Sequence, residues 1–113
     1  VRSIKKPVST IVLGHAYSAA AMLLLVGTKG KRIAHKHSQI MIHEGSGHFG
    51  YKSETQMALY LQNLRWMNQS IEKLLIQHTK LPKKEIKRFI KSGLDEWMTP
   101  EQALKWGVID KII

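Results

Sequence analysis

From residue 16 to residue 26 the chain is apolar at every position except Ser18. It is the longest apolar run in the chain, and this constrains the fold more than any other feature. It is shorter than the roughly 20 residues that cross a bilayer. Arg2, Lys5 and Lys6 precede it, as in a signal peptide, but Pro7 and the strand-like Val8-Ser9-Thr10-Ile11-Val12 intervene. Gly27-Thr28-Lys29-Gly30-Lys31 reads as a turn, not a small-residue cleavage site. The run is rich in Ala, Leu and Met, strong helix formers, and Gly27 is a natural stop. Residues 8–13, bounded by Pro7 and Gly14, read as a buried strand. The chain should therefore open as a strand, a tight turn over Gly14-His15-Ala16-Tyr17-Ser18, and a helix.

The remainder alternates. Residues 31–34 and 39–43 are short extended segments separated by the polar His35-Lys36-His37-Ser38. Gly45, Gly47 and Gly50 mark a flexible loop or irregular strand. Ser53-Glu54-Thr55-Gln56 is a capping box, opening a helix that runs to about His78. Met57, Leu61, Leu64, Met67, Ile71, Leu74 and Leu75 give that helix one apolar stripe. Pro82 starts a second, basic helix with Ile86, Phe89 and Ile90 inward and Gly93 at its end. Thr99-Pro100-Glu101-Gln102 caps a third, stopped by Gly107, and residues 108–113 form a last strand. This order predicts an α/β domain.

Charge widens the choice of function. Lys and Arg number 18 against 8 Asp and Glu, a net charge of +10. Lys29, Lys31, Arg32 and Lys36, then Lys80, Lys83, Lys84, Lys87, Arg88 and Lys91, could form basic patches, so a nucleic-acid-binding module is the alternative from a different class. Aromatic interleaving is poor, because Phe89 falls on the apolar face; a solvated face is the plainer reading, with neither nucleic acid nor membrane as partner. The absence of Cys excludes disulfide scaffolds, thiolate zinc sites and Cys nucleophiles. His35, His37, His43 and His48 have no recognised zinc spacing, so neither metal nor other cofactor is expected.

Three residues could carry chemistry. Ser18 stands where a strand hands over to a helix, and the N–H of Ala19 there could bind a developing oxyanion. The bland alternative is a simple N-cap. His43 ends an apolar strand, a rigid platform for a base or merely a satisfied rim histidine. Asp95, in a polar link between two helices, could orient a histidine or solvate a turn. Together they supply a nucleophile, a base and an acid in the order Ser, His, Asp.

The segments holding these residues resemble a known family. Gly14-His15-Ala16-Tyr17-Ser18-Ala19-Ala20-Ala21 resembles the nucleophile segment of ClpP, the proteolytic subunits of Clp proteases. Thr28-Lys29-Gly30-Lys31-Arg32-Ile33-Ala34 resembles the turn and strand that follow. Ser38-Gln39-Ile40-Met41-Ile42-His43 resembles the base segment, Asp95-Glu96-Trp97-Met98-Thr99-Pro100-Glu101-Gln102-Ala103 the acid segment, and Gly107-Val108-Ile109-Asp110 the closing strand. The resemblance implies a partial ClpP/crotonase-like fold with a long handle helix opened at Ser53. It makes Ser18 the nucleophile, His43 the base, Asp95 the orienter and Ala19 an oxyanion donor. Gly45, Gly47 and His48 would contact substrate, within a strand-and-handle region at residues 45–51. The implied protein is a cytoplasmic serine endopeptidase cleaving unfolded polypeptide inside stacked homo-oligomeric rings, fed by an AAA+ unfoldase and needing no cofactor. A phage capsid-maturation protease of the same type would show the same residues.

Two departures matter. Ala20 stands where the family usually has Gly, and residues 80–94 are longer and more basic than expected. Residues 1–113 are expected to be a single domain, the C-terminal portion of such a subunit. The upstream strands, N-terminal gate and second oxyanion donor would then lie outside it. Since one oxyanion donor is worth about a hundredfold to a thousandfold in rate, the piece alone should be weak or inactive.

Overall fold

The structure, a computed structural model, describes residues 1, 3–48 and 50–113. Arg2, counted above with the cations before the apolar run, and Phe49, within the expected substrate segment, lie outside the described residues. The elements run β1 (Thr10–Val12), β2 (His15–Tyr17), α1 (Ala19–Leu25), β3 (Arg32–Ala34), β4 (Gln39–Ile42), α2 (Glu54–His78), α3 (Lys83–Lys91), β5 (Glu96–Met98), α4 (Pro100–Lys105) and β6 (Lys111–Ile112). The architecture is α/β, as the alternation predicts, with a long helix.

The strands form two three-stranded sheets, ordered β1-β3-β6 and β2-β4-β5. All pairs are parallel except β4 with β5. Among the described residues β1 and β2 are therefore both edge strands, and Leu13 and Gly14 alone carry the chain from one sheet to the other. The turn expected at residues 14–18 is thus itself a strand. Ala16 is buried, while the hydroxyl of Tyr17 lies 2.9 Å from His15 Nδ1 and donates to Gln39 Oε1 at 2.9 Å. Three residues of alternation are too few to announce a strand from sequence. Asp95 likewise does not link two helices, because β5 follows it directly.

α1 buries Ala21, Leu24 and Leu25. They meet Val12 and Ala34 of one sheet and Ile40 and Ile42 of the other, with Leu75, Ile86, Phe89, Val108 and Ile109 completing the core. Gly27 lets α1 end against β1, since any Cβ there would strike the Thr10 side chain. The expected capping boxes form at Ser53 with Gln56 and at Thr99 with Gln102. The stripe on α2 is only partly used. Leu75 is buried and Met67, Ile71 and Leu74 are half-buried, but Met57 and Leu61 are exposed. A 25-residue helix is about 38 Å long, and its first half projects beyond the core.

Arg32 does not belong to a surface patch; it is 3% exposed. Its Nε donates to Asp110 Oδ2 at 2.9 Å, Nη2 to Asp110 Oδ1 at 2.6 Å and Nη1 to the His78 carbonyl at 2.7 Å. Asp110 also accepts from the N–H groups of Gly30 and Arg32. The Arg32 hydrogen bonds hold the Asp110 carboxyl down at about 2, against about 4 for a free Asp. Its ionised form is favoured by folding, so this stability is complete above about pH 4 and is lost as pH falls from there towards 2. We expect a loss on the order of 1–2 kcal/mol across that window, allowing for the water-accessible edge of the carboxylate. Urea midpoints measured at pH 5 and pH 2.5 should show this component in the wild-type protein and lack it in Asp110→Asn.

Candidate functional site

The second sheet places three chain positions at one end. β2 and β4 run in parallel, so Ser18 and His43, each following a strand, emerge on the same side. β5 is antiparallel to β4 and pairs Ile42 with Glu96. Continued by one residue, that register sets Asp95 opposite His43. The sheet topology thus brings Ser18, His43 and Asp95 to a common edge.

Ser18 has φ 55° and ψ −118°, and is the one non-glycine with positive φ among the described residues. Its N–H donates to the Met41 carbonyl at 2.9 Å, which ties this backbone to β4. Such a conformation costs about 1–3 kcal/mol and persists only where surroundings enforce it. Ser18 occupies the cap position of α1, yet its side chain makes no capping hydrogen bond. The simple N-cap reading therefore fails. The next residue, Ala19, is exposed and its N–H has no partner among the described residues.

Ser18, Ala19, His43 and Gly45 line one cavity of about 710 Å³. Its remaining wall is mostly apolar: Met22, Leu23, Val26 and Ile42 on one side, and Met67, Ile71 and Leu74 of α2 on the other. A cavity this apolar can take up a hydrophobic side chain while leaving a hydroxyl and an imidazole at its rim.

The triad geometry is incomplete in this structure. His43 is half-buried and lies just past the end of β4, not within it. Its Nδ1 contacts the carbonyl oxygen of Glu44. Asp95 is exposed and makes no hydrogen bond or ion pair among the described residues. Its neighbour Glu96 accepts from Arg88 Nη1 at 2.8 Å, anchoring the start of β5 to α3. Of the expected substrate contacts, only Gly45 lines the cavity. Gly47 packs against the Tyr60 hydroxyl, and His48 is exposed. The described residues from 45 to 51 form no strand.

One contact was not foreseen. Asn68 Oδ1 accepts from the Gly45 N–H at 2.6 Å. The signal was available, since Asn68 lies four residues after Leu64 and three before Ile71, a polar side chain at a stripe position.

The basic residues lie elsewhere. Lys83, Lys84, Lys87 and Lys91 are exposed on α3, opposite the buried Phe89. Among the described residues no group of three or more His, Cys, Asp or Glu is placed to hold a metal ion. No helix among them is long and apolar enough to cross a membrane.

The family model described as Clp protease matches residues 1–113. An ATP-dependent Clp protease proteolytic subunit of Deinococcus radiodurans is 39% identical over 114 aligned positions, covering 100% of this chain and 54% of that protein. An ATP-dependent Clp protease proteolytic subunit 1 of Bifidobacterium longum is 33% identical over 110, covering 97% of this chain and 46% of the relative. The chain spans about half the length of the curated relatives it matches.

Proposed function

Because this chain belongs to the Clp protease family, we propose that it forms the catalytic part of a serine endopeptidase. The observation that carries this reading is the strained, uncapped Ser18 sharing one apolar cavity with His43. In the proposed reaction Ser18 Oγ attacks the scissile carbonyl while His43 Nε2 takes its proton. The Ala19 N–H, left without a partner among the described residues at the start of α1, receives the oxyanion. His43 then gives the proton to the leaving amine, and water releases the acyl group by the same steps in reverse. Asp95, in register with His43, stabilises the imidazolium. The apolar cavity seats a hydrophobic side chain of an unfolded polypeptide.

The relatives, which are ATP-dependent Clp protease proteolytic subunits, support the wider setting. In that setting, copies assemble as stacked rings and an AAA+ unfoldase delivers the substrate in extended form. Treatment of the naturally produced protein with a fluorophosphonate, followed by peptide mapping, tests the core of the proposal. The adduct is expected on Ser18, and His43→Ala should abolish it. A folded, assembled protein that takes up no label would overturn the reading.

A further inference from the structure

We propose that Tyr17 is a positioning residue for Ser18, with its ring locked against Trp97 across the second sheet. The inference rests on the reading of Ser18 as the nucleophile. A residue other than glycine at positive φ relaxes unless its surroundings hold it. Two backbone hydrogen bonds hold Ser18 directly. Its N–H donates to the Met41 carbonyl at 2.9 Å, and its carbonyl accepts from the Met22 N–H at 3.1 Å. The residue before it is held by its side chain.

Strand alternation buries Ala16, Ile40 and Met98 and sends Tyr17, Met41 and Trp97 to the opposite face of the sheet. Tyr17 pairs with Met41 and Met41 with Trp97, so these three form one row across β2, β4 and β5. The outer two strands of that row are about 10 Å apart, two strand spacings, a gap that only large side chains close. Here the Tyr17 and Trp97 rings meet edge to face with their centroids 5.0 Å apart, a favoured arrangement for aromatic pairs. The Tyr17 hydroxyl is tied as well. It donates its one proton to Gln39 Oε1 at 2.9 Å, and so accepts from His15 Nδ1, also at 2.9 Å. One side chain thus engages all three strands, one residue ahead of the strained Ser18. Both hydroxyl partners are exposed, where water can replace the bonds they make, so the ring contact carries the effect.

The test uses the naturally produced protein and a small fluorogenic peptide as substrate. Misplacing a catalytic group by about 1 Å costs up to about a hundredfold. Tyr17→Ala and Trp97→Ala are expected to lower kcat by about tenfold to a hundredfold and to change KM less than about threefold. Fluorophosphonate labelling of Ser18 should slow in parallel. Tyr17→Phe keeps the ring and should stay within about threefold of wild type in kcat. A second readout needs no activity. Ser18→Gly, which removes the cost of positive φ, should raise Tm in the wild-type background. In Tyr17→Ala, where Ser18 is already free to relax, it should raise Tm by less than half as much. If Tyr17→Ala does not fold, Trp97→Ala carries the same comparisons. Wild-type kcat in both Ala variants would overturn the proposal, as would a loss confined to KM or a loss in Tyr17→Phe equal to that in Tyr17→Ala. An undiminished Tm gain from Ser18→Gly, or no gain in either background, would do the same. So would a kcat loss that follows dissociation of the protein on size-exclusion chromatography, since the rings would then act between copies. Absence of any Ser18 label in the wild-type protein would instead bring down the underlying reading, and this inference with it.

Discussion

Ser18→Ala is expected to reduce hydrolysis of an unfolded polypeptide by the naturally produced protein at least a thousandfold, with His43→Ala falling as far. Residues that act as a unit in nucleophilic catalysis are non-additive, so the double variant should be no worse than either single one. Asp95→Asn should cost less than either, because a carboxylate that only stabilises the imidazolium contributes less than the nucleophile or the base. The backbone adds a sharper test. Ser18 holds φ 55° with ψ −118°, a conformation open to glycine without penalty. Ser18→Gly should therefore abolish activity while stabilising the fold by about 1 kcal/mol, raising Tm by a few degrees. A catalytic loss coupled to a stability gain would mark Ser18 as held under strain for its chemistry. Steady-state proteolysis of all these variants, and a thermal melt of Ser18→Gly beside the wild-type protein, settle the matter. If Ser18→Gly is less stable than wild type, the strain argument is wrong.

The second large effect concerns stability. Asp110→Ala leaves the Arg32 guanidinium, 3% exposed, without its carboxylate. Uncompensated buried charge costs about 3–5 kcal/mol, a large part of the 5–15 kcal/mol by which most domains are stable. Arg32→Met should cost less, because Asp110 retains the N–H donors of Gly30 and Arg32 and some contact with water. Replacing both by apolar residues should recover much of the loss, since a well-packed apolar pair rivals a buried ion pair. Urea unfolding of the two single variants and the double variant measures the coupling directly. The consequence reaches the site, because Arg32 also holds the His78 carbonyl at the C-terminal end of α2. Loosening that end frees the helix that carries Asn68 and one wall of the cavity.

Much of this was legible in the residues. The run at 16–26 announced a helix, although Ala16 and Tyr17 belong to β2 and α1 buries only Ala21, Leu24 and Leu25, and the two capping boxes located the starts of α2 and α4 to the residue. Ser18, His43 and Asp95 could be singled out because each stands at a junction between elements, where side chains are presented instead of packed. What escaped was set by pairing. β2 and β5 are three residues long, too short to carry a period, and they exist because β4 offers both of its sides. Arg32 read as one cation of a cluster, because its partner Asp110 lies far along the chain. Asn68 showed as a polar residue at a stripe position, but its partner was hidden in the same way. Its meaning lies in the Gly45 N–H, which a helical wheel cannot contain. The stripe on α2 predicted a buried face along its whole length, but Met57 and Leu61 in its first half are exposed among the described residues.

Among the described residues β1 and β2 both stand at sheet edges, with Ile11, Leu13 and Leu23 exposed beside them. Unpaired strand edges flanked by apolar side chains invite pairing with other chains. The net charge of +10 acts in the opposite sense, keeping like molecules apart while ionic strength is low. Self-association of these residues is therefore expected to rise with added salt, which screens the repulsion and leaves the strand edges as they are.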